Sequence, residues 1–508
     1  MLSRINSFGL NGVKGYKVVV EIHASHGLPR FDIVGLPDAS VKESKERVSS
    51  AIKNSSFDLS PKKYTINLAP ADIKKEGAMY DLPIALGILS ATNQLRDKIN
   101  IADFIIIGEL SLNGEIRQVK GILPIIIAAR SEGIKNIIVP AANENEASFV
   151  EGVTVFAFKH LTEVAEFFKG NLPAQPLKQK DIAAHLTLDG KYKEDFKYVK
   201  GQFLAKRAME VAAAGSHNII LIGPPGGGKT MLAKCLPSIL PDLTVSESLE
   251  TTKIHSIAGT LDEKIGIITA RPFRTPHHTS SRFALTGGGI GAKPGEVSLA
   301  HNGVLFLDEM PEYPRSVLEI LRQPIEDNKI TISRAAITVE YPANFMLVAS
   351  MNPCPCGNKG SKINCVCTPV LVQKYLSRLS GPLLDRIDLH IEVDNVSYDE
   401  LATTPNAEPS SAIKQRINKA RDIQLDRFKD AGIYSNGLMT NQMVDEFCQI
   451  DKESDNLLRN AFSKLGLSAR AYMRIRKVAR TIADLEGSDK ICASHIAEAI
   501  GYRALDRR

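Results

Sequence analysis

Gly223-Pro224-Pro225-Gly226-Gly227-Gly228-Lys229-Thr230 follows the apolar run Asn218-Ile219-Ile220-Leu221-Ile222 and precedes Met231-Leu232-Ala233-Lys234. Strand, glycine-rich loop and helix start, in that order, have the spacing of a P-loop. The chemistry this pattern serves is binding of ATP or GTP. Glycines let the backbone curl so that several N–H groups face phosphate oxygens, and the helix N-terminus adds partial positive charge. Lys229 would reach the β- and γ-phosphates, and the Thr230 hydroxyl would ligate Mg²⁺.

A P-loop needs a second strand that ends in an acid. Val304-Leu305-Phe306-Leu307-Asp308-Glu309 supplies it: Asp308 would hold Mg²⁺ through water, and Glu309 would activate the attacking water as general base. A further apolar run, Phe345 to Ser350, ends in Met351-Asn352-Pro353. At the C-terminal edge of a parallel sheet Asn352 could orient that water or sense the γ-phosphate, and it also suits a turn before Pro353. In Gly381-Pro382-Leu383-Leu384-Asp385-Arg386-Ile387-Asp388 an arginine stands at a short helix end, placed to stabilise charge on a neighbour's γ-phosphate. Leu467-Ser468-Ala469-Arg470 opens a basic helix that could bring a second arginine, Arg470, to the nucleotide.

Four of the seven cysteines cluster as Cys354, Cys356, Cys365 and Cys367. Cys-x-Cys twice could wrap four thiolates around a tetrahedral Zn²⁺, although the pairs are spaced more tightly than the usual gap of two to four residues. A metal-free loop or a redox pair is the alternative. Cys235, Cys448 and Cys492 are isolated and read as core residues.

These elements must be carried by a large soluble chain. Its 508 residues suffice for two or three cores, with 44% hydrophobic and 24% charged residues. No apolar run approaches a membrane span, and Met1-Leu2-Ser3-Arg4-Ile5-Asn6 lacks an apolar secretion signal, so a cytoplasmic protein is expected. A net charge of +6 permits a nucleic-acid partner without announcing one. With no Trp and 6% aromatics, any such contact should be to the backbone rather than by base stacking.

Residues 1–170 read as an α/β domain: strands at Lys17–Ile22, Phe31–Val34 and Lys63–Leu68, a helix from Pro37 to Asn54, and a hairpin over Phe104–Val119 turning at Asn113-Gly114. Gly170 to Pro176 breaks the pattern and opens a linker over 171–190. A nucleotide domain over 191–400 contains the cysteine loop 354–367, and a helical, charged segment fills 401–508.

The P-loop, Leu307-Asp308-Glu309, Met351-Asn352-Pro353, Leu383-Leu384-Asp385-Arg386 and Ser468-Ala469-Arg470 together resemble an AAA+ ATPase of the Mg-chelatase-like branch. Arg271-Pro272-Phe273-Arg274-Thr275-Pro276-His277-His278, with Gly287-Gly288-Gly289, Pro294-Gly295-Glu296 and Ser298 to Gly303, resembles the ComM/YifB family more narrowly. The likeness covers essentially the whole chain, Val34-Gly35-Leu36-Pro37-Asp38 included. It implies ATP and Mg²⁺ as ligands, Walker A residues Gly223, Pro224, Pro225, Gly226, Gly227, Gly228, Lys229 and Thr230, and Walker B residues Asp308 and Glu309. Asn352 would be sensor 1, Arg386 a finger acting in trans, and Arg470 sensor 2. A ring, a hexamer, follows from that resemblance alone.

The resemblance also implies three folded parts: a Lon-protease-like N-terminal domain of the ribosomal S5 domain 2 type, a P-loop AAA+ α/β domain and a C-terminal helical lid. In Lon-type peptidases a Ser–Lys dyad does the chemistry. Here Met79 and Leu123 occupy the two positions, in Lys74 to Met79 and Val119 to Leu123, and neither can serve as nucleophile or base. The function implied is an ATP-driven DNA motor promoting branch migration in homologous recombination. The alternative is an AAA+ ring remodelling a polypeptide, as a metal-chelatase motor does. For the first, Arg271, Arg274 and Arg282 in the glycine-rich insertion and Arg334 at the tip of a hairpin over 330–339 are the candidate phosphate contacts. The same arginines could instead lie on solvated faces or bind a neighbouring subunit, and Arg474, Arg476, Lys477 and Arg480 could simply line the lid helix.

Overall fold

The computed structural model describes residues 2–95, 98–186, 192–289, 291–334, 337–360, 363–395, 407–503 and 505. The first elements are β1 (Leu2–Asn11), β2 (Lys14–Ser25), β3 (Arg30–Val34), α1 (Ala39–Asn54), β4 (Lys63–Ala69), α2 (Asp81–Ala91) and β5 (Phe104–Ile106). There follow β6 (Glu109–Leu110), β7 (Ile116–Arg117), α3 (Ile122–Ser131), β8 (Asn136–Pro140), α4 (Glu144–Ala147), β9 (Thr154–Phe158), α5 (Leu161–Phe168) and α6 (Ile182–Leu186). Seven strands form one mixed sheet in the order β3-β4-β2-β1-β5-β8-β9. α2 is apolar on every side and packs on β1 and β2, which makes it the centre of this core.

Three local expectations are corrected here. α1 begins after Asp38, whose carboxylate accepts from the Val41 N–H at 2.7 Å, so Pro37 stays outside the helix in a bridge with Lys75. The turn at Asn113-Gly114 forms, but it closes only the short β6–β7 pair. β5 instead runs parallel between β1 and β8, where all three of its residues are buried. The segment expected as a linker is docked: Leu177 N–H donates to Val155 O at 2.7 Å and Lys180 N–H to Ser148 O at 3.0 Å. Its last part, 187–190, lies outside the described residues.

Next come α7 (Phe203–Gly215), β10 (Ile219–Ile222), α8 (Lys229–Cys235), α9 (Val245–Ala258), β11 (Phe273–Arg274), α10 (Arg282–Thr286), β12 (Gly287–Gly288), β13 (Lys293–Pro294), α11 (Glu296–Leu299) and β14 (Val304–Leu307). α12 (Arg315–Ile320), α13 (Arg322–Asp327), the hairpin β15 (Lys329–Arg334) and β16 (Ile337–Pro342), β17 (Met346–Met351), α14 (Pro369–Leu376), α15 (Gly381–Leu384) and β18 (Leu389–Glu392) complete this part. Five strands make an all-parallel sheet in the order β11-β14-β17-β10-β18. β10, β14 and β17 are buried at every position, as strands covered by helices on both faces must be. β10 lies inside the sheet between β17 and β18, and the loop after its C-terminal end opens where ligands bind in such sheets.

The C-terminal part is helical: Ser410–Arg427, Asn441–Phe447, Lys452–Leu465, Ala469–Leu485 and Ala493–Gly501. Ile475, Val478, Ala479 and Ile482 of the long basic helix join one core with β10, β14 and β17. The fold is thus α/β with a helical C-terminal part, and among the described residues no helix is long and apolar enough to cross a membrane.

Candidate nucleotide site and cysteine loop

Parallel register assembles the site. Ile222 pairs with Met351, and Leu307 with Ala349, so the P-loop, Asp308 and Asn352 emerge at one edge of the sheet. The glycines serve two purposes. Gly226 and Gly228 have φ of +78° and +84°, the left-handed region that glycine enters freely. At Gly223 the constraint is space, since a Cβ would lie 2.2 Å from Val393 O.

Lys229 Nζ donates to Gly223 O at 2.7 Å, Pro224 O at 2.8 Å and Asn352 Oδ1 at 3.1 Å. Burial lowers its pKa, opposed by the charges of Asp308 and Glu309. The Thr230 hydroxyl donates to Asp308 Oδ2 at 3.0 Å. A hydroxyl and a carboxylate side by side form the hard oxygen pair that suits Mg²⁺. Glu309 is exposed with φ +51°, a conformation that costs a non-glycine residue on the order of 1 kcal/mol. Its N–H is held by Ser350 Oγ at 3.1 Å, and the same hydroxyl donates to Asp308 Oδ1.

Ser350 and Gln202 were not foreseen. Ser350 is a buried polar residue at the end of an apolar strand, and that break in the run is its sequence signal. Gln202, at φ +55° just before α7, donates through Nε2 to Gly227 O at 3.2 Å and Asp394 O at 2.5 Å, tying the P-loop to the strand beside it.

Arg386 stands at the other edge of the sheet. Asn218, ahead of β10, donates through Nδ2 to Arg386 O at 3.1 Å, whereas the P-loop leaves the far end of that strand. Four strand residues span about 13 Å. Arg386, expected to act on a neighbour's phosphate, is buried within its own chain, its guanidinium paired with Glu326 and donating to Pro382 O at 2.5 Å. A buried guanidinium must find an anion, and Glu326 is the one within reach. Arg470, expected at the nucleotide, comes within 4.0 Å of the same Glu326 carboxylate and so stands with Arg386.

The candidate phosphate-binding arginines divide. Arg271 is not a surface cation: it pairs through two nitrogens with Glu247 at 2.9 and 3.0 Å and also donates to Pro241 O and Asn302 O. Arg274 is likewise bidentate to Glu296, at 2.6 and 2.7 Å. Both satisfy buried or half-buried carboxylates that would otherwise stand unpaired. Arg282 is exposed and lies over the Phe283 ring. The β15–β16 hairpin forms, but its tip at 335–336 and the Arg334 side chain lie outside the described residues. Arg474, Arg476, Lys477 and Arg480 turn inward, to Asp388, to Asp445 and backbone carbonyls, to Gly437 O and Met439 O, and to Asp484.

The four cysteines of the loop converge. Their sulfurs lie within 4.8 Å of one another, with Cys354, Cys356 and Cys365 at mutual distances of 3.5 to 3.6 Å. All are free thiols. Tetrahedral Zn–S bonds of about 2.3 Å place sulfurs about 3.8 Å apart, so the cluster has the size of a zinc cage. In the N-terminal part, Met79 packs against the apolar cluster that contains Leu123, which leaves no polar dyad there.

Comparison with known proteins accords with this geometry. Family profiles described as magnesium chelatase, subunit ChlI match residues 195–401, as subunit ChlI of Mg-chelatase residues 20–143, and as its C-terminal part residues 407–503. The chain is 44% identical to competence protein ComM of Haemophilus influenzae over 98% of this chain and 96% of that one. It is 43% identical to the uncharacterized protein YifB of Escherichia coli, over 100% and 98%. A magnesium-chelatase subunit ChlI of Mesostigma viride is 24% identical over 56% of this chain and 78% of that protein.

Proposed function

Since the chain belongs to the ComM/YifB family of Mg-chelatase-like AAA+ ATPases, we propose that it is an ATP-driven motor on DNA that promotes branch migration during homologous recombination. The observation that carries the ATPase part is the convergence of Lys229, Thr230, Asp308 and Asn352 at one sheet edge. In this reading Lys229 and the P-loop amides bind the phosphates, Glu309 takes a proton from the attacking water, and Asn352 orients it. Thr230 and Asp308 would hold Mg²⁺, which would neutralise the phosphate charge.

Arg386 and Arg470 share Glu326 at the edge away from their own P-loop. That placement supports a homo-oligomeric ring, a hexamer, in which both arginines complete the neighbour's site. The cysteine cage takes a Zn²⁺ ion, and the protein works in the cytoplasm. Full-length likeness to a competence protein and the exposed Arg282 favour DNA as the substrate.

A polypeptide-remodelling ring is the second reading. It is favoured by the ion pairs that occupy Arg271 and Arg274. The ATPase rate with single-stranded, duplex and four-way-junction DNA, at low and moderate salt, separates the two. Salt-sensitive stimulation, strongest with the junction, supports the DNA motor; indifference to every DNA overturns it.

A further inference from the structure

The cysteine loop starts and finishes on the nucleotide site. Asn352, whose amide oxygen accepts from Lys229, lies two residues before Cys354. Past Cys367 the chain enters α14 at once, with Thr368 as its cap, and brings Tyr375 back to Asn352. Burial pushes the Tyr375 hydroxyl up to about 12, against a hydrogen bond from the Asn352 backbone. Between these ends the loop touches the P-loop itself. Gly357 has φ +79°, and a Cβ there would stand 2.5 Å from Pro225 Cδ and 2.7 Å from Cγ. The turn that makes this contact is built on Cys354: Gly357 N–H donates to Cys354 O at 2.9 Å, and Lys359 N–H to Cys354 Sγ at 3.4 Å. Cys354 is fully buried, while the other three sulfur-bearing residues are half-buried.

Among the loop's described residues Cys354 is the one in the buried apolar set, and Ile363 and Val366 are exposed, so apolar burial contributes little to its shape. Four sulfurs gathered within 4.8 Å can fix it by sharing one metal ion.

We infer that a zinc ion on Cys354, Cys356, Cys365 and Cys367 holds Asn352 and Pro225 in place, so that zinc occupancy sets the rate of ATP hydrolysis and not the affinity for ATP. The inference rests on the proposed ATPase and zinc readings and adds the coupling between them. It separates rate from affinity because the phosphate-binding amides belong to the P-loop and α8, which β10 carries, and Pro225, where the cysteine loop touches the P-loop, has no N–H to offer a phosphate. Asn352 instead faces Lys229 from the neighbouring strand, where the terminal phosphate would lie. Loss of a group that orients the reacting atoms falls on kcat.

The test begins with zinc content, measured by elemental analysis on full-length protein purified without added metal. About one zinc per chain is expected, and it is lost in Cys367→Ser but retained in Cys492→Ser, at a residue that is exposed rather than in the core as expected and stands outside the sulfur cluster. Zinc is then removed with a zinc-selective chelator in excess Mg²⁺ and restored with ZnCl₂. Binding of a fluorescent ATP analogue, turnover and thermal melting are read at each stage. Removal should lower kcat about 100-fold, the loss expected from a displacement of ~1 Å, with nucleotide binding kept and turnover recovered on adding ZnCl₂.

Gly357→Ala guards against simple misfolding. It keeps all four thiols and the zinc, yet presses on Pro225, so turnover falls with stoichiometric metal still bound. Absence of zinc in protein with active turnover overturns the zinc reading. Full turnover after verified zinc removal overturns the coupling while leaving the metal site intact. Absence of ATP hydrolysis in the zinc-loaded chain overturns the ATPase reading instead.

Discussion

Lys229 and Asn352 meet across two parallel strands, ammonium to amide oxygen at 3.1 Å. Neither is near the other in sequence; the Ile222–Met351 pairing of β10 with β17 brings them together. Lys229→Ala removes the cation that the phosphates require, so ATP hydrolysis should fall to background. Asn352→Ala should bind ATP normally and turn it over about 100-fold more slowly. Steady-state ATPase assays beside equilibrium nucleotide binding check both, and a loss of affinity in Asn352→Ala would refute the assignment.

Glu309 is held out of the sheet in the left-handed region, with its backbone tied to Ser350 and its carboxylate free to face the site. Glu309→Gln keeps the size and the backbone but removes the base. Hydrolysis should drop about 10² to 10⁴-fold, and ATP should accumulate on the protein. Rapid single-turnover hydrolysis by this variant would exclude Glu309 as the base.

Much of this was legible because it is local. The P-loop, the Leu307-Asp308-Glu309 strand end and the strand before Asn352 each announce themselves within ten residues, and the pairs of cysteines do so by spacing. What the sequence does not show depends on contacts between distant segments. Ser350 matters only through the register that sets it beside Asp308. The favourable Asn113-Gly114 turn points to a hairpin partner for β5, whereas its three apolar residues need strands on both sides, which β1 and β8 supply. The charges of Arg271 and Arg274 read as surface features until the fold supplied Glu247 and Glu296. Nothing in the sequence tells that Gly357 rests on Pro225.

Arg386 is buried on Glu326 at the edge of the sheet opposite its own P-loop. A chain lacking Arg386 therefore keeps its own Lys229 and P-loop, and a chain lacking Lys229 keeps Arg386, the proposed finger. Mixing Arg386→Ala with Lys229→Ala, each inactive alone, should restore part of the turnover once co-assembly is shown by sizing. Mixed assemblies that remain inactive would refute action in trans.

Asp388 joins the parallel sheet to the lid. Its carboxylate accepts from Asn218 N–H at 2.9 Å and from Arg474. Burial alone would raise its pKa, but the Arg474 charge, with His217, holds it well below the usual carboxylate range. The folded protein thus binds fewer protons here than the unfolded chain. The pair's contribution is complete above the unfolded value of about 3.9 and is lost as pH falls below it. Arg474→Ala leaves the carboxylate buried without its guanidinium partner, with the Asn218 N–H and His217 left beside it, and should cost about 3 kcal/mol at neutral pH. Thermal melts from pH 3 to 8 should show that deficit narrowing as the solution becomes acidic; a constant deficit would contradict the assigned charge states.

Arg271 and Arg282 lie eleven residues apart in the same insertion but should behave as opposites. Arg271 neutralises Glu247, a buried carboxylate that burial would raise and the arginine holds low. Arg271→Ala should therefore destabilise the fold by about 3 to 5 kcal/mol, visible as a lower Tm. Its effect on DNA affinity should only follow that loss of folded protein. Arg282 is exposed and pairs with no carboxylate among the described contacts, so Arg282→Ala should leave Tm unchanged. If the motor tracks phosphates through this face, each lost cation releases about one fewer counterion, and the slope of log affinity against log salt should fall by about 1. A slope unchanged by Arg282→Ala would place the proposed DNA path elsewhere on the protein, with Arg334 on the β15–β16 hairpin as the next cation to remove.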